Sequence, residues 1–329
     1  MAAFTCFFAD VLPLLDLFRK RRSVENFQSK LTEFIVGSVE SFRTDVGIPV
    51  ELQRRFASVY NAAKRLRFLI VGGFFGVTIE TVITQILGVK KFFGCMFCQY
   101  FIFPLSFFTA YWHGALFLRL FTRIWVISLI RCMTIGILAL KIEIRDLTEA
   151  ETDWRSKLEI IKLESSVKIR NTLQKFRVME TLVEEFNSLF GIFISVGILS
   201  VIVTLLINVF EMILHLRHGG VAHSLGFATS VVVHIVVLYF ICRSAGELEF
   251  EAKDCIMMLQ DSSYKNEREF DEFGEMLHYT KALLQPVQIS PGYFFNLNLK
   301  TMLSIAGSIT TYMIVLVQFH TSEPPVKRE

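Results

Sequence analysis

The sequence predicts an all-α integral membrane protein, a helical bundle of five full spans and a partial N-terminal span with long cytoplasmic helical extensions. Three observations lead there. Of 329 residues 53% are hydrophobic and 33 are Phe, with mean hydropathy +0.48, an apolar excess that the interior of an ordinary soluble domain does not absorb. Four uncharged runs approach the ~20 residues that a bilayer core demands: Phe92 to Leu118, Ser188 to Phe210, Ser224 to Cys242 and Thr301 to Phe319. A fifth, Phe68 to Leu87, is interrupted only by Glu80. Finally, neither Gly nor Pro occurs between Gly136 and Gly191, so the charged connections read as helices rather than loops.

Taken in order, residues 1–18, "MAAFTCFFADVLPLLDLF", are apolar but short and hold Asp10, Pro13 and Asp16 with no basic segment before them. They read as the last part of a membrane helix, not as a cleaved leader. Residues 19–67, opened by "RKRR", form a cytoplasmic connection, and 68–118 carry two spans. Residues 119–187 are a cytoplasmic helical anchor. Its first part, "IWVISLIRCMTIGILAL" (124–140), is almost long enough to span. It contains Arg131, however, and making it a span would export nine basic residues between Lys141 and Arg177, against the positive-inside bias. It is expected to continue the preceding helix into the cytoplasm and, being apolar nearly all round, to be buried against protein. Farther along, Ile169, Leu173, Phe176, Met179, Val183 and Phe186 recur at steps of three and four and mark one apolar stripe. Its expected partners are the 124–140 helix and the segment from Glu247 to Gln285.

Residues 188–242 carry two further spans, joined through an outer loop holding His215, His218 and His223. Residues 243–292 are a second cytoplasmic anchor, with apolar positions at Ile256, Met257, Leu259, Phe270 and Phe273. It ends in "LQPVQISPGYFF", where Pro286, Pro291 and Gly292 cannot share one undisturbed helix. The chain must break there, so the last span, 293–319, is separately positioned and leads to an extracellular tail, 320–329.

Lys and Arg counts set the orientation. The connections 19–67, 119–187 and 243–300 hold 29 of the 34 basic residues, which places them in the cytoplasm and the C-terminus outside. The net charge of +3 is thus a topology signal, and nucleic acid is not called for as a partner. Of the six cysteines only Cys95 and Cys98 lie close together, a spacing that by itself defines neither a zinc nor a redox site. No nucleophile motif, metal-ligand cluster or internal repeat stands out, so neither an enzyme, a cofactor nor a duplicated transporter is read.

The last span carries a pattern of its own. At 100° per residue and with Ser304 at zero, Ser308, Thr311, Val315 and Gln318 all fall within about 40° of it. Such a strip either packs on a neighbouring helix or lines water. Around an oligomer axis it makes a hydroxyl-lined path in which Val315 is an apolar constriction, with Lys300 at the cytoplasmic end. The outer halves of the spans offer a second cluster: Glu80, Thr84, Tyr111, Trp112, His113, Asn208 and His234. Aromatic walls with a few convergent polar groups suit a small molecule. An ionised Glu80 in mid-membrane costs ~2.5–3.5 kcal/mol or more unless protonated, paired or wet, so it should face the bundle, meeting either a ligand or His113. His234 reads either as a pocket member or as a satisfied core histidine.

"TYMIVLVQF", in which Thr311, Tyr312, Gln318 and Phe319 bracket five hydrophobic residues, resembles the signature that closes the last membrane helix of insect gustatory receptors. "PGYFFNLNLKTMLSIAGSITTY" is similar to that family's approach to the motif, and "VMETLVEEFNSLFGIFI" to the start of its fifth span. The resemblance implies a seven-helix subunit with a cytoplasmic N-terminus in the plasma membrane. It further implies a homo- or hetero-tetramer with other gustatory receptors, a ligand-gated non-selective cation channel around its last helix, opened by a small-molecule tastant bound on the extracellular side. Relative to that pattern the first span and most of the second are absent, which leaves a non-conducting or accessory subunit as the alternative, beside a heptahelical receptor without its own pore. "MIVLV" lacks the acidic residue that sugar-responsive members tend to carry there.

Overall fold

Helix length alone separates this molecule from a plain bundle of spans. Residues Glu159–Arg217 form one helix of 59 residues, about 90 Å at ~1.5 Å per residue, roughly three times the hydrocarbon core of a bilayer. Val221–Asn266 form another of 46 residues. Neither fits inside a membrane, so each must carry a long extension beyond it.

The computed structural model describes residues 15–43, 49–50, 52–57, 60–61, 64, 120–146, 159–217, 221–266 and 287–322. Its principal elements are α1 (Arg21–Arg43), α2 (Leu120–Asp146), α3 (Glu159–Arg217), α4 (Val221–Asn266), a 3-10 turn (Pro291–Tyr293) and α5 (Leu299–Ser322). Among the described residues there is no strand, and the protein is all-helical as expected. The apolar runs at 188, 224 and 301 lie in α3, α4 and α5. Those at 68 and 92, with most of residues 1–18, lie outside the described residues. By length and composition α2, α3, α4 and α5 each contain a stretch able to cross a membrane.

Two compact units can be distinguished, Met1–Leu52 with Ile130–Glu329, and Gln53–Leu129. In the second, Ile124, Val126, Ile127 and Leu129 are buried, and the Ser128 hydroxyl donates to the Ile124 carbonyl at 2.8 Å. The first is built on the stripe of α3. Leu173, Phe176, Met179, Val183 and Phe186 are all buried, as their spacing predicts. The side chain of Ile169 lies outside the described set.

Helices α2 and α1 meet the stripe, and α4 packs on α2. From α2, Ile130, Met133, Ile137, Leu140 and Ile144 are fully buried, in line with the expectation that this helix is covered by protein. Glu143 joins it to α3, accepting from the Thr172 hydroxyl at 3.0 Å and from Lys175 Nζ at 2.8 Å. From α4, Glu251 and Asp254 meet Lys141 at 2.8 and 2.5 Å. The Arg131 Nε donates to the Ser244 hydroxyl at 3.2 Å, and its guanidinium stands over the Phe240 ring.

The other partner of the stripe is α1, which the periodicity does not reveal. Its Phe27 is fully buried, with ring centroids 6.0 Å from Phe186 and 6.1 Å from Phe190. Lys30 meets Glu185 at 3.0 Å beside them.

Two details differ from the sequence reading. On α4 the buried face is Leu248, Ala252 and Cys255, not Ile256 and Met257, and Met257 is exposed. The face turned to α2 is chosen by small residues that admit its backbone, since the Cys255 thiol reaches the Ile137 carbonyl at 3.6 Å. Neither His215 nor His223 is in a loop, and His223 lies in the first turn of α4. Helix α3 runs on to Arg217 because nothing interrupts it before Gly219, and His215 lies 3.8 Å from Glu211 one turn earlier and stacks on Phe227 of α4.

Candidate functional site

The break before the last helix is real and firmly seated. Gly292 has φ 60° and the next residue, Tyr293, φ 61°, so two successive residues take the left-handed conformation that Gly accepts freely and Tyr does not. The turn lies directly on α3: a Cβ at Gly191 would come within 2.7 Å of the Gly292 nitrogen. Only glycine permits that approach.

One turn earlier on α3, Asn187 holds the incoming strand of chain from both sides. Its Nδ2 donates to the Gln288 carbonyl at 3.1 Å, and its Oδ1 accepts from the Ser290 N–H at 3.1 Å. Val287, Ile289 and Leu297 are buried around this clasp, and the Leu297 N–H donates to the Ile289 carbonyl at 2.8 Å.

Helix α5 then starts on a side-chain cap. The Thr301 N–H donates to Asn298 Oδ1 at 3.1 Å, satisfying a backbone donor that the helix leaves open. The other end of the same amide reaches Glu249 of α4 at 3.4 Å. The last helix is therefore tied to α3 and α4 at its root. Asn187, Gly191 and Asn298 were not singled out from the sequence. "NLNLKT" before an apolar run does signal the cap, whereas the role of Asn187 depends on contacts a hundred residues away.

Beyond its root α5 is almost uncovered. Met313 is its one residue classed as buried among those described, 7% exposed, and at 100° per residue it sits about 180° from Ser304. The partly covered Ile305, Ile309 and Val317 flank it. Ser304, Ser308, Thr311, Val315 and Gln318 are exposed together on the opposite side. The hydroxyls of Ser308, Thr310 and Thr311 donate to carbonyls four residues back, at 3.0, 2.9 and 3.0 Å. The motif residues Tyr312 and Phe319 are exposed as well.

Of the pocket set, Asn208 and His234 are described, and they meet on Ser230. Asn208 Nδ2 donates to the Ser230 hydroxyl at 2.8 Å, and His234 Nδ1 lies 2.7 Å from the Ser230 carbonyl. A carbonyl only accepts, so Nδ1 carries the proton. His234 is 4% exposed, and the pair forms a polar node between α3 and α4. Glu80, Thr84, Tyr111, Trp112 and His113 lie outside the described residues.

Long apolar helices, an uncovered terminal helix and polar groups paired inside the bundle define a multi-pass membrane protein. Residues 3–323 match the model of the 7tm chemosensory receptor family, and the chain belongs to that family, which is one of receptors rather than enzymes. It is similar to gustatory and odorant receptor 24 of Anopheles gambiae, 25% identical over 121 residues, 36% of this chain and 26% of that protein. The match thus spans about a quarter of the relative's length. In fold it resembles the insect olfactory receptor OR5 of Machilis hrabei, with TM-score 0.67 at 15% identity over 97% of this chain and 80% of the other. It likewise resembles the same receptor in complex with eugenol, with TM-score 0.63 at 15% identity over 95% and 79%.

Proposed function

We propose that the chain is a subunit of a gustatory receptor that acts as a ligand-gated non-selective cation channel in the plasma membrane, with its C-terminus outside. Four subunits, identical or mixed with other gustatory receptors, surround an axis lined by α5. Ser304, Ser308, Thr311 and Gln318 face the permeating ions, and Val315 is the constriction.

The observation that carries this reading is the direction of the strip. The hydroxyl and amide residues point away from the subunit's own bundle, opposite Met313, and stay exposed with most of the helix. Inside a single subunit nothing requires that alignment. A shared aqueous axis does, because polar side chains in a membrane protein turn to protein or water rather than lipid. The "TYMIVLVQF" signature favours the gustatory branch. A small-molecule tastant is expected in a pocket built on Glu80, Thr84, Tyr111, Trp112, His113, Asn208 and His234, with the Ser230 node at its α3–α4 wall. The complex of the related olfactory receptor with eugenol makes a small organic ligand the natural class.

The test is expression alone and with other receptors, followed by current recording over a compound panel. Gln318→Ala and Val315→Ser are expected to change ion selectivity or basal current. Unchanged permeation in both variants, in a conducting assembly, removes the strip from the pore. Labelling an engineered C-terminal cysteine from outside intact cells checks the orientation independently.

A further inference from the structure

Tyr293 and Phe294 are 74% and 82% exposed, although they lie between the buried Pro291 and the buried Leu297. The backbone presents them outward. The left-handed Tyr293, φ 61°, costs roughly 1–2 kcal/mol for a residue with a Cβ, and the Asn187 clasp and the Gly191 contact hold the turn in place. Two adjacent aromatics displayed on a strained, firmly seated turn call for something to cover them.

Their depth indicates what that is. The turn lies on Gly191, and a Cβ on Gly292 would stand 3.4 Å from the Ser195 hydroxyl. Both α3 residues follow the last charges, Glu184 and Glu185, by about two to three helical turns. This is where a span passes from the headgroups into the acyl chains, the level at which amphipathic aromatic rings gather. At the same level α3 exposes Ile192, and Leu199 two turns on, so the pair adjoins an apolar surface of the spanning helix. The first turn of α5 adds an exposed Leu299.

We propose that Tyr293 and Phe294 insert into the headgroup–acyl boundary of the bilayer and form a lipid anchor at the root of α5. The Tyr ring keeps its hydroxyl among the headgroups and the Phe ring lies with the upper acyl carbons. The bilayer then holds the last helix at its base through a side-chain pair that the protein core leaves uncovered. The inference stands whether or not that helix lines a pore.

The full chain carrying Phe294→Trp, reconstituted in nanodiscs of phosphatidylcholine and phosphatidylserine, reads the depth against the unsubstituted chain as background. The added emission is expected to be blue-shifted and lost with lipids brominated near the headgroup, and less so with bromines deep in the chain. Emission indifferent to both bromolipids but quenched by aqueous iodide overturns the proposal. So does efficient disulfide formation between copies of a Tyr293→Cys variant, which assigns the patch to a second subunit. Should Phe294→Trp fail to assemble, a nitroxide on Phe294→Cys gives the same depth from its relative accessibility to oxygen and to a water-soluble nickel chelate.

Discussion

Helices α2 and α5 are both uninterrupted apolar helices able by length to cross a membrane, yet their surroundings are opposite. In α2, 67% of the most apolar stretch is buried within the chain, whereas in α5 the share is 6%. The polar side chains follow suit. In α2 the charged ones reach across to other helices, Arg131 to Ser244, Lys141 to Glu251 and Asp254, Glu143 to Thr172 and Lys175, while the Ser128 and Thr134 hydroxyls bond back to their own helix. Past its root, α5 reaches no other helix with its Ser308, Thr310 and Thr311 hydroxyls, which bond back into their own helix. Apolarity alone does not say what a helix is for. Where its polar groups find their partners does.

Substitutions in both regions sharpen or break that contrast. The largest effect is expected in the covered region. Phe186→Ala removes a fully buried ring packed between Phe27 and Phe190 and should cost about 3–5 kcal/mol. It would be read as a lowered unfolding midpoint in detergent and as loss of mature protein.

Lys141→Met leaves Glu251 and Asp254 facing each other without their shared cation, and about 1.5–3 kcal/mol is expected from the lost charge-assisted bonds. Adding Glu251→Gln should recover part of that loss, and additive losses in the double variant would show that the ion pairs do not couple α2 to α4.

Asn187→Ala strands the Gln288 carbonyl and the Ser290 N–H, at about 1–3 kcal/mol. Because the damage is local to the root of α5, the expected signature is altered current or assembly with only a small shift in midpoint. Gly191→Val should mimic it by displacing the Pro291–Tyr293 turn.

The smallest effect on stability belongs to the strip. Ser308→Ala should stay within about 0.5 kcal/mol of the parent, as exposed positions do, while changing single-channel conductance. A large loss of folded subunit from Ser308→Ala would place that face inside the subunit and undo the contrast.

Much of this was legible in the residues. The stripe from Leu173 to Phe186, the covered 124–140 helix, the break at Pro291 and Gly292 and the grouping of Ser304 with Gln318 are consequences of periodicity and backbone chemistry, which act over a few residues. What stayed hidden depends on long-range meetings. Nothing local to Phe27 says that it packs on Phe186, and nothing near Asn187 says that its amide serves residues 288 and 290. The choice of Leu248, Ala252 and Cys255 over Ile256 and Met257 likewise depends on how closely another backbone approaches. His215 falls in α3 for a simpler reason: the charges that end an apolar run do not end a helix, and nothing between Phe210 and Gly219 interrupts this one.

The backward hydrogen bonds of Ser308, Thr310 and Thr311 bear on how such a subunit is made. A hydroxyl already bonded to its own helix does not demand a companion when the nascent chain enters the membrane. For these three groups, waiting in hydrocarbon costs little if, as proposed, copies of α5 later gather around an axis; the Gln318 amide on the same face remains the group that asks for water or protein.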